Sequence, residues 1–162
     1  MAYTREELEE LVNRHAPAVY RLAYARTGSR EDAEDIMQEV FLRLLRRAPA
    51  LEGDEHQRAW LLHVTVNCTN SLFARAYRRR ELPLEEGAAR AEEPAHNDVL
   101  DAVLALPEKY RAAVCLHYCE GYTTAETARI LDKKEATVRT WLFRARGLLR
   151  EALGEEGEHG TS

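Results

Sequence analysis

The stretch VRTWLFRAR, residues 138 to 146, sets Arg139, Thr140, Phe143 and Arg144 off the line of Val138, Leu142, Ala145 and Leu149. At about 100° per residue the apolar four stack as one helical stripe, so the others point away from it. Those side chains suit the edges of base pairs. Arg offers a planar donor fork to guanine or phosphate, Thr a hydroxyl, and Phe an apolar surface for a thymine methyl. Lys133 and Lys134 stand just before this helix, with Lys134 at the expected N-cap. Ser, Thr, Asp or Asn is usual there and the helix dipole is positive, so a cation at that position makes sense where a phosphate arrives. The plainer alternative is an ordinary helical hairpin with a solvated charged face.

Other chemistry finds less support. Cys115, His117 and Cys119 look like metal ligands in one dimension. On a helix, however, His117 turns roughly 200° from Cys115, so structural cysteines are the better reading and no metal or cofactor is expected. His63 has no Ser, Cys or acid at matching spacing, and the chain has neither a nucleotide-binding loop nor a nucleophile constellation. These observations argue against an enzyme.

The elements around the basic stretch are helical. Thr123 with Glu126 forms a capping box, Asp132 occupies the turn after Leu131, and Ala125, Ala128 and Leu131 can pack the short helix between them. Pro107 marks the first turn of a helix expected to run to Gly121. Nearer the N-terminus, Thr4 and Glu7 cap a first helix, and Pro17 is expected to open a second that ends at Gly28. Ser29 caps the next, along which Ala33, Ile36, Met37, Val40, Phe41, Leu44 and Leu45 recur with helical period. Glu34, Asp35, Gln38, Glu39 and Arg43 lie on its other faces. After a polar loop, residues 48 to 57, a long helix is predicted from about Arg58, with Trp60 in its core, ending in Arg75, Arg78, Arg79 and Arg80.

The chain of 162 residues carries a net charge of −5, but unevenly. Residues 81 to 98 hold one basic and six acidic side chains, and the tail from Gly154 adds three more acids. The remainder is neutral to basic, so overall acidity does not argue against nucleic acid. The pattern predicts an all-α protein of two small helical lobes, residues 1 to 80 and 98 to 153. A flexible acidic linker, 81 to 97, joins them, the second lobe contains a helix-turn-helix, and a disordered tail covers 154 to 162. The N-terminus lacks the apolar run of a signal peptide, and no segment reaches the length of a membrane span, so a cytoplasmic protein without membrane insertion is expected. Three cysteines imply no disulfide framework.

In family order, several segments resemble the bacterial RNA polymerase sigma factors of extracytoplasmic-function (ECF) type. LDKKEATVRTWLFRARGLLREAL is similar to their fourth-region recognition segment, and ALPEKYRAAVCLHYCEGYTTAETA to the helices before it. GSREDAEDIMQEVFLRLLRR resembles the second-region helix that binds the polymerase core, and RAWLLHVTVNCTNSLFARAYRRR the helix for promoter melting and the −10 element. The departures are Asp132 for the usual turn Gly, Lys134 and Glu135 for a more neutral pair, and Trp141 where a basic residue is common.

The resemblance implies a non-catalytic initiation factor that binds core polymerase and directs it to promoter DNA. In that frame Glu34, Asp35, Gln38 and Glu39 face the polymerase. Asn67, with the 48 to 57 loop, captures an unpaired base of the −10 element while Arg75, Arg78, Arg79 and Arg80 follow phosphates. Lys133, Lys134, Arg139, Thr140, Phe143 and Arg144 serve the −35 element. Control is expected from another protein, an anti-sigma factor. Two readings stand beside this one: a stand-alone helix-turn-helix regulator, which leaves the acidic helix unexplained, and a helical adaptor, which makes the off-core arginines incidental.

Overall fold

The computed structural model describes residues 3–47, 51–79 and 98–154, and among them every regular element is helical. The expected linker, the tail beyond Gly154 and Arg80 lie outside the described residues. The chain separates into two compact units, Met1–Ala91 and Glu92–Ser162.

The first unit is built on α1 (Arg5–Thr27), α2 (Arg30–Arg47) and α3 (Gly53–Arg78). Thr4 and Glu7 close the expected capping box, with Glu7 N–H donating to Thr4 Oγ1 at 3.1 Å and Thr4 N–H to Glu7 Oε1 at 3.0 Å. Gly28, at φ 68°, ends α1, and Ser29 Oγ accepts from Asp32 N–H at 3.1 Å to begin α2. Pro17 does not open a new helix; it lies inside α1. Its ring removes one backbone donor, but Leu11, His15, Ala18, Val19 and Leu22 are buried on both sides of it, and that packing holds the helix continuous.

A second departure is the start of α3, five residues before Arg58. Residues 53 to 57 are helix rather than loop. Asp54 and Glu55 occupy the first turn, where carboxylates suit the positive helix end, and Glu52 N–H donates to His56 Nδ1 at 3.0 Å. Asp54 also reaches α1, with Oδ1 3.0 Å from Arg14 Nη1 and 3.2 Å from His15 Nε2.

Further along, Arg26 is buried and donates to Thr69 Oγ1 at 2.8 Å and Asn70 Oδ1 at 3.0 Å, with its guanidinium 5.3 Å from the centre of the Phe73 ring. Both ties pair rising residue numbers, so α1 and α3 run parallel, with α2 returning between them. Ala33, Ile36, Val40 and Leu44 of α2, Val19 and Leu22 of α1, and Leu61 and Leu62 of α3 are buried where the three helices pack on one another. Leu45, expected in that stripe, is 45% exposed, and Met37 and Phe41 are half-buried. The seven positions span a wider arc than one helix contact covers, so those at its edge remain in solvent.

In the second unit α4 (Asp98–Leu104) leads to α5 (Glu108–Val114), with Pro107 as N-cap. The helix expected to run unbroken to Gly121 instead widens into a π-helical turn, Cys115–Cys119. Glu120 N–H donates to Cys115 O at 3.0 Å, and the added residue brings His117 Nδ1 within 2.7 Å of Tyr122 O. The helix-turn-helix follows as α6 (Thr124–Leu131) and α7 (Glu135–Ala152). Thr123 and Glu126 form their capping box, and Asp132 takes the left-handed conformation, φ 61° and ψ 47°. Lys133 N–H donates to Ala128 O at 2.9 Å, closing the turn after α6. Ala128, Leu131, Val138, Leu142 and Ala145 form its core with Ala112, Ala113 and Leu116, while Leu149 is half-buried.

The α1–α3 ties yield two predictions. Burial holds His15 below its ordinary value of 6.5, outweighing Asp54 and Gln57, which pull the other way. Between the lowered folded value and 6.5 the folded imidazole is therefore neutral while the unfolded one is protonated. His15 should therefore contribute full stability above the unfolded pKa, and that contribution should fade as pH drops through 6.5 towards the lower folded value. Urea unfolding at a series of pH values should show this decline, and His15→Gln should flatten it. Arg26→Ala, which removes the charged donor to Thr69 and Asn70, should cost roughly 1.5–3 kcal/mol in the same assay.

Candidate nucleic-acid interface

Helix α7 is fixed in rotation by its buried side. Val138, Leu142 and Ala145 face inward, so Arg139, Thr140, Phe143 and Arg144 are all exposed on the opposite side. Phe143 is 70% exposed, an apolar ring left in solvent. Lys133 and Lys134 are exposed at the start of the helix, and Lys134 is the N-cap without a side-chain hydrogen bond. All six residues expected at the −35 element are therefore exposed, four on the outer side of α7 and two at its start.

Three contacts around α7 escaped sequence reasoning. Glu135 Oε2 accepts from Arg139 Nη1 at 3.0 Å, a pairing that the i, i+4 spacing alone could have signalled. Arg146 Nη1 donates to Tyr118 Oη at 3.0 Å, tying α7 to the π-helical turn across 28 positions of sequence. Trp141, set where a basic residue is common in the resembled family, is half-buried with its ring 6.4 Å from Tyr110, and Lys109 Nζ lies 5.7 Å above it. Its neighbours make it a packing residue rather than a phosphate contact.

On α3, Asn67 is exposed, its Nδ2 3.4 Å from His63 Nε2. Helical spacing aligns it with Ala74 and Arg78, at i+7 and i+11, in one exposed stripe; Arg75 and Arg79 are exposed beside it. Trp60, expected in the core, is only half-buried, one turn before His63 on the same side.

The acidic set on α2 divides. Glu34 and Gln38 are exposed side by side, one turn apart. Asp35, also exposed, and half-buried Glu39 line a cleft of about 370 Å³ between α2 and α3, together with Asp32, Arg43, Cys68 and Arg75. There Arg43 Nε donates to Glu39 Oε2 at 3.0 Å, and this bond holds the guanidinium above its usual pKa. Burial pushes the Cys68 thiol up, away from reactive thiolate. One cleft therefore brings two of the expected polymerase-facing carboxylates to Arg75 of the expected DNA set. Among the described residues no three His, Cys, Asp or Glu side chains gather as metal ligands, and no helix is long and apolar enough to cross a membrane.

Comparison with known proteins follows this division. Residues 11–81 match the family model for Sigma-70 region 2, and residues 96–149 that for Sigma-70, region 4. ECF RNA polymerase sigma factor SigE of Mycolicibacterium smegmatis is 36% identical over 159 residues, covering 91% of this chain and 62% of SigE. SigM of Mycobacterium tuberculosis, also an ECF RNA polymerase sigma factor, is 33% identical over 158 residues, covering 95% of this chain and 81% of SigM. The chain thus spans less than two thirds of SigE but most of SigM. Among solved structures, RpoE in complex with the anti-sigma factor NepR from Bartonella quintana superposes with a TM-score of 0.70 at 20% identity, covering 92% of this chain and 98% of that one. CnrH in complex with the cytosolic domain of CnrY gives 0.66 at 22% identity, covering 95% and 92%. Those two likenesses carry the all-helical fold, whereas the ordered region matches and the identity along SigM carry the family. The chain belongs to the ECF-type RNA polymerase sigma factors.

Proposed function

We propose that the chain is a transcription initiation factor that joins RNA polymerase core, directs it to promoters through −35 and −10 elements, and assists duplex opening. Residues 1–80 serve polymerase and the −10 element, 81–97 act as spacer, and 98–153 read the −35 element. The observation that carries this reading is the exposed quartet Arg139, Thr140, Phe143 and Arg144, opposite the buried stripe of α7, in a chain that also contains a sigma region 2. A stand-alone regulator has no use for that first unit. In this reading the chain catalyses no reaction itself, works beside polymerase in the cytoplasm, and is restrained by an anti-sigma protein, the class of partner with which the RpoE structure was solved. The direct test is promoter-specific transcription by core polymerase with and without the purified chain; equal transcription would reject the proposal.

The roles differ in timing. Duplex reading by α7 precedes base capture, because the base that Asn67 would hold is stacked until the duplex opens. Asn67 offers both a donor and an acceptor to such a base, and Arg75, Arg78 and Arg79 suit the adjacent phosphates. Glu34 and Gln38, outward on α2, suit a basic surface of the polymerase.

Reversing both, Glu34→Lys with Gln38→Lys, should weaken core binding roughly tenfold or more while leaving circular dichroism unchanged, since each side chain is exposed. Unaltered affinity of the folded variant in a core titration would remove these residues from the interface. Arg144→Ala should lower closed-complex affinity by roughly 1–3 kcal/mol, the range of a base-specific contact. Asn67→Ala should leave the closed complex near normal and impair opening, read as permanganate reactivity. A template premelted across the −10 element should rescue Asn67→Ala more than Arg144→Ala. Equal loss of duplex affinity in both variants, unrelieved by premelting, would reject the role given to Asn67.

A further inference from the structure

Arg139 is not idle in the free chain. Its Nη1 donates to Glu135 Oε2 at 3.0 Å, from side chains that keep 60% and 46% of their surface in solvent. Glu four residues ahead of Arg is the favourable order on a helix, and the carboxylate also sits in the first turn of α7, where the dipole welcomes it. Each position turns about 100°, so Glu135, Arg139 and Phe143 follow one another at steps of about 40° around the helix. The carboxylate thus borders the surface assigned above to DNA.

We propose that Glu135 sets the specificity of Arg139: it neutralises that guanidinium against isolated phosphates and yields it to a guanine edge in the major groove. The inference rests on the reading of α7 as the −35 helix. A solvated ion pair of this kind is weak and exchanges readily for a better partner. A phosphate can also accept the fork, but it replaces one anion by another and sets the released carboxylate beside the negative backbone. Guanine O6 and N7 accept two parallel bonds from the planar fork and bring no net charge near the carboxylate. Lys133 and Lys134, exposed just before the helix, remain for the phosphates. Glu135 is accordingly a positioning residue: it lowers non-specific binding by about one charge and leaves specific binding intact.

The test uses holoenzyme assembled from bacterial core polymerase and the full chain as wild type, Glu135→Gln, Arg139→Ala, Arg144→Ala and the Glu135→Gln/Arg139→Ala double variant. Two duplexes serve as probes: one of random sequence, and one selected by wild-type holoenzyme from a library randomised across the −35 element. Circular dichroism establishes that each variant is folded. For Glu135→Gln, the slope of log affinity against log salt on the random duplex should steepen by about 0.9, the release of one more counterion. The ratio of selected to random affinity should fall by about threefold or more at low salt. Both changes should be clearly smaller when Arg139 is already Ala. If Glu135→Gln acts equally without Arg139, the carboxylate works as a bare charge and the proposal is overturned. If Arg139→Ala weakens selected binding but Glu135→Gln alters neither slope nor ratio, the pair is an ordinary surface ion pair and the proposal alone fails. If Arg139→Ala and Arg144→Ala both bind the selected duplex as wild type does, the assignment of α7 to DNA fails and the inference falls with it.

Discussion

A helix can bury only one stripe, and in α7 that stripe is Val138, Leu142 and Ala145, all sealed against the rest of the second unit. Each large side chain removed from water contributes on the order of 1.5–3 kcal/mol, more than any exposed ion pair on the same helix. Rotating α7 to hide Phe143 or pair its arginines internally would expose this stripe and lose that stabilisation. The orientation of the candidate reading surface therefore follows from burial, not from attractions among the polar side chains themselves.

The turn before α7 meets a second constraint. Asp132 occupies a left-handed backbone conformation that most L-residues resist, and its N–H still finds Ala128 and Arg129 carbonyls at the end of α6. Gly would adopt this conformation more easily, so the chain accepts a small local strain. Its result is a sharp change of direction that leaves Lys133 and Lys134 at the exposed start of the next helix. Lys134 caps without a side-chain bond, so the first amides of α7 are not satisfied by their own N-cap side chain. Such amides are ready donors for an anion, and Lys134 adds charge to the same end.

In the first unit burial of Leu61, Leu62 and Val66 again turns α3 inward, and long-range polar ties add to it. Arg26 joins α1 to the Thr69–Asn70 step of α3, and Asp54 joins the start of α3 back to Arg14 and His15. Two such points along parallel helices match the slide and rotation that the buried face of α3 already favours. That fixes the stripe from Asn67 to Arg78 relative to the acidic face of α2. The same arrangement opens the cleft in which Glu39 is already engaged by Arg43, so Glu34 and Gln38 are the freer pair on that helix. An arginine drawn between helices thus has structural consequences at surfaces it does not touch.

Sequence alone determined what depends on neighbours within a turn or two. Both capping boxes, the left-handed Asp132, the Lys134 N-cap and the inward stripe of α7 were all legible, because helical period and local hydrogen bonding act over three to eleven positions. Ordered segments from GSREDAEDIMQEV to the basic helix likewise carried the family resemblance. Tertiary packing decided the rest. It carried α1 through Pro17, where flanking burial outweighs one lost backbone bond, and drew residues 53 to 57 into α3, where Asp54 has partners on α1. It left Leu45 in solvent, widened the helix at Cys115–Cys119, and seated Trp141 beside Tyr110. It also divided Glu34 and Gln38 from Asp35 and Glu39. Periodicity reports which residues share a face of their own helix, but which part of that face is covered depends on where distant helices come to rest against it.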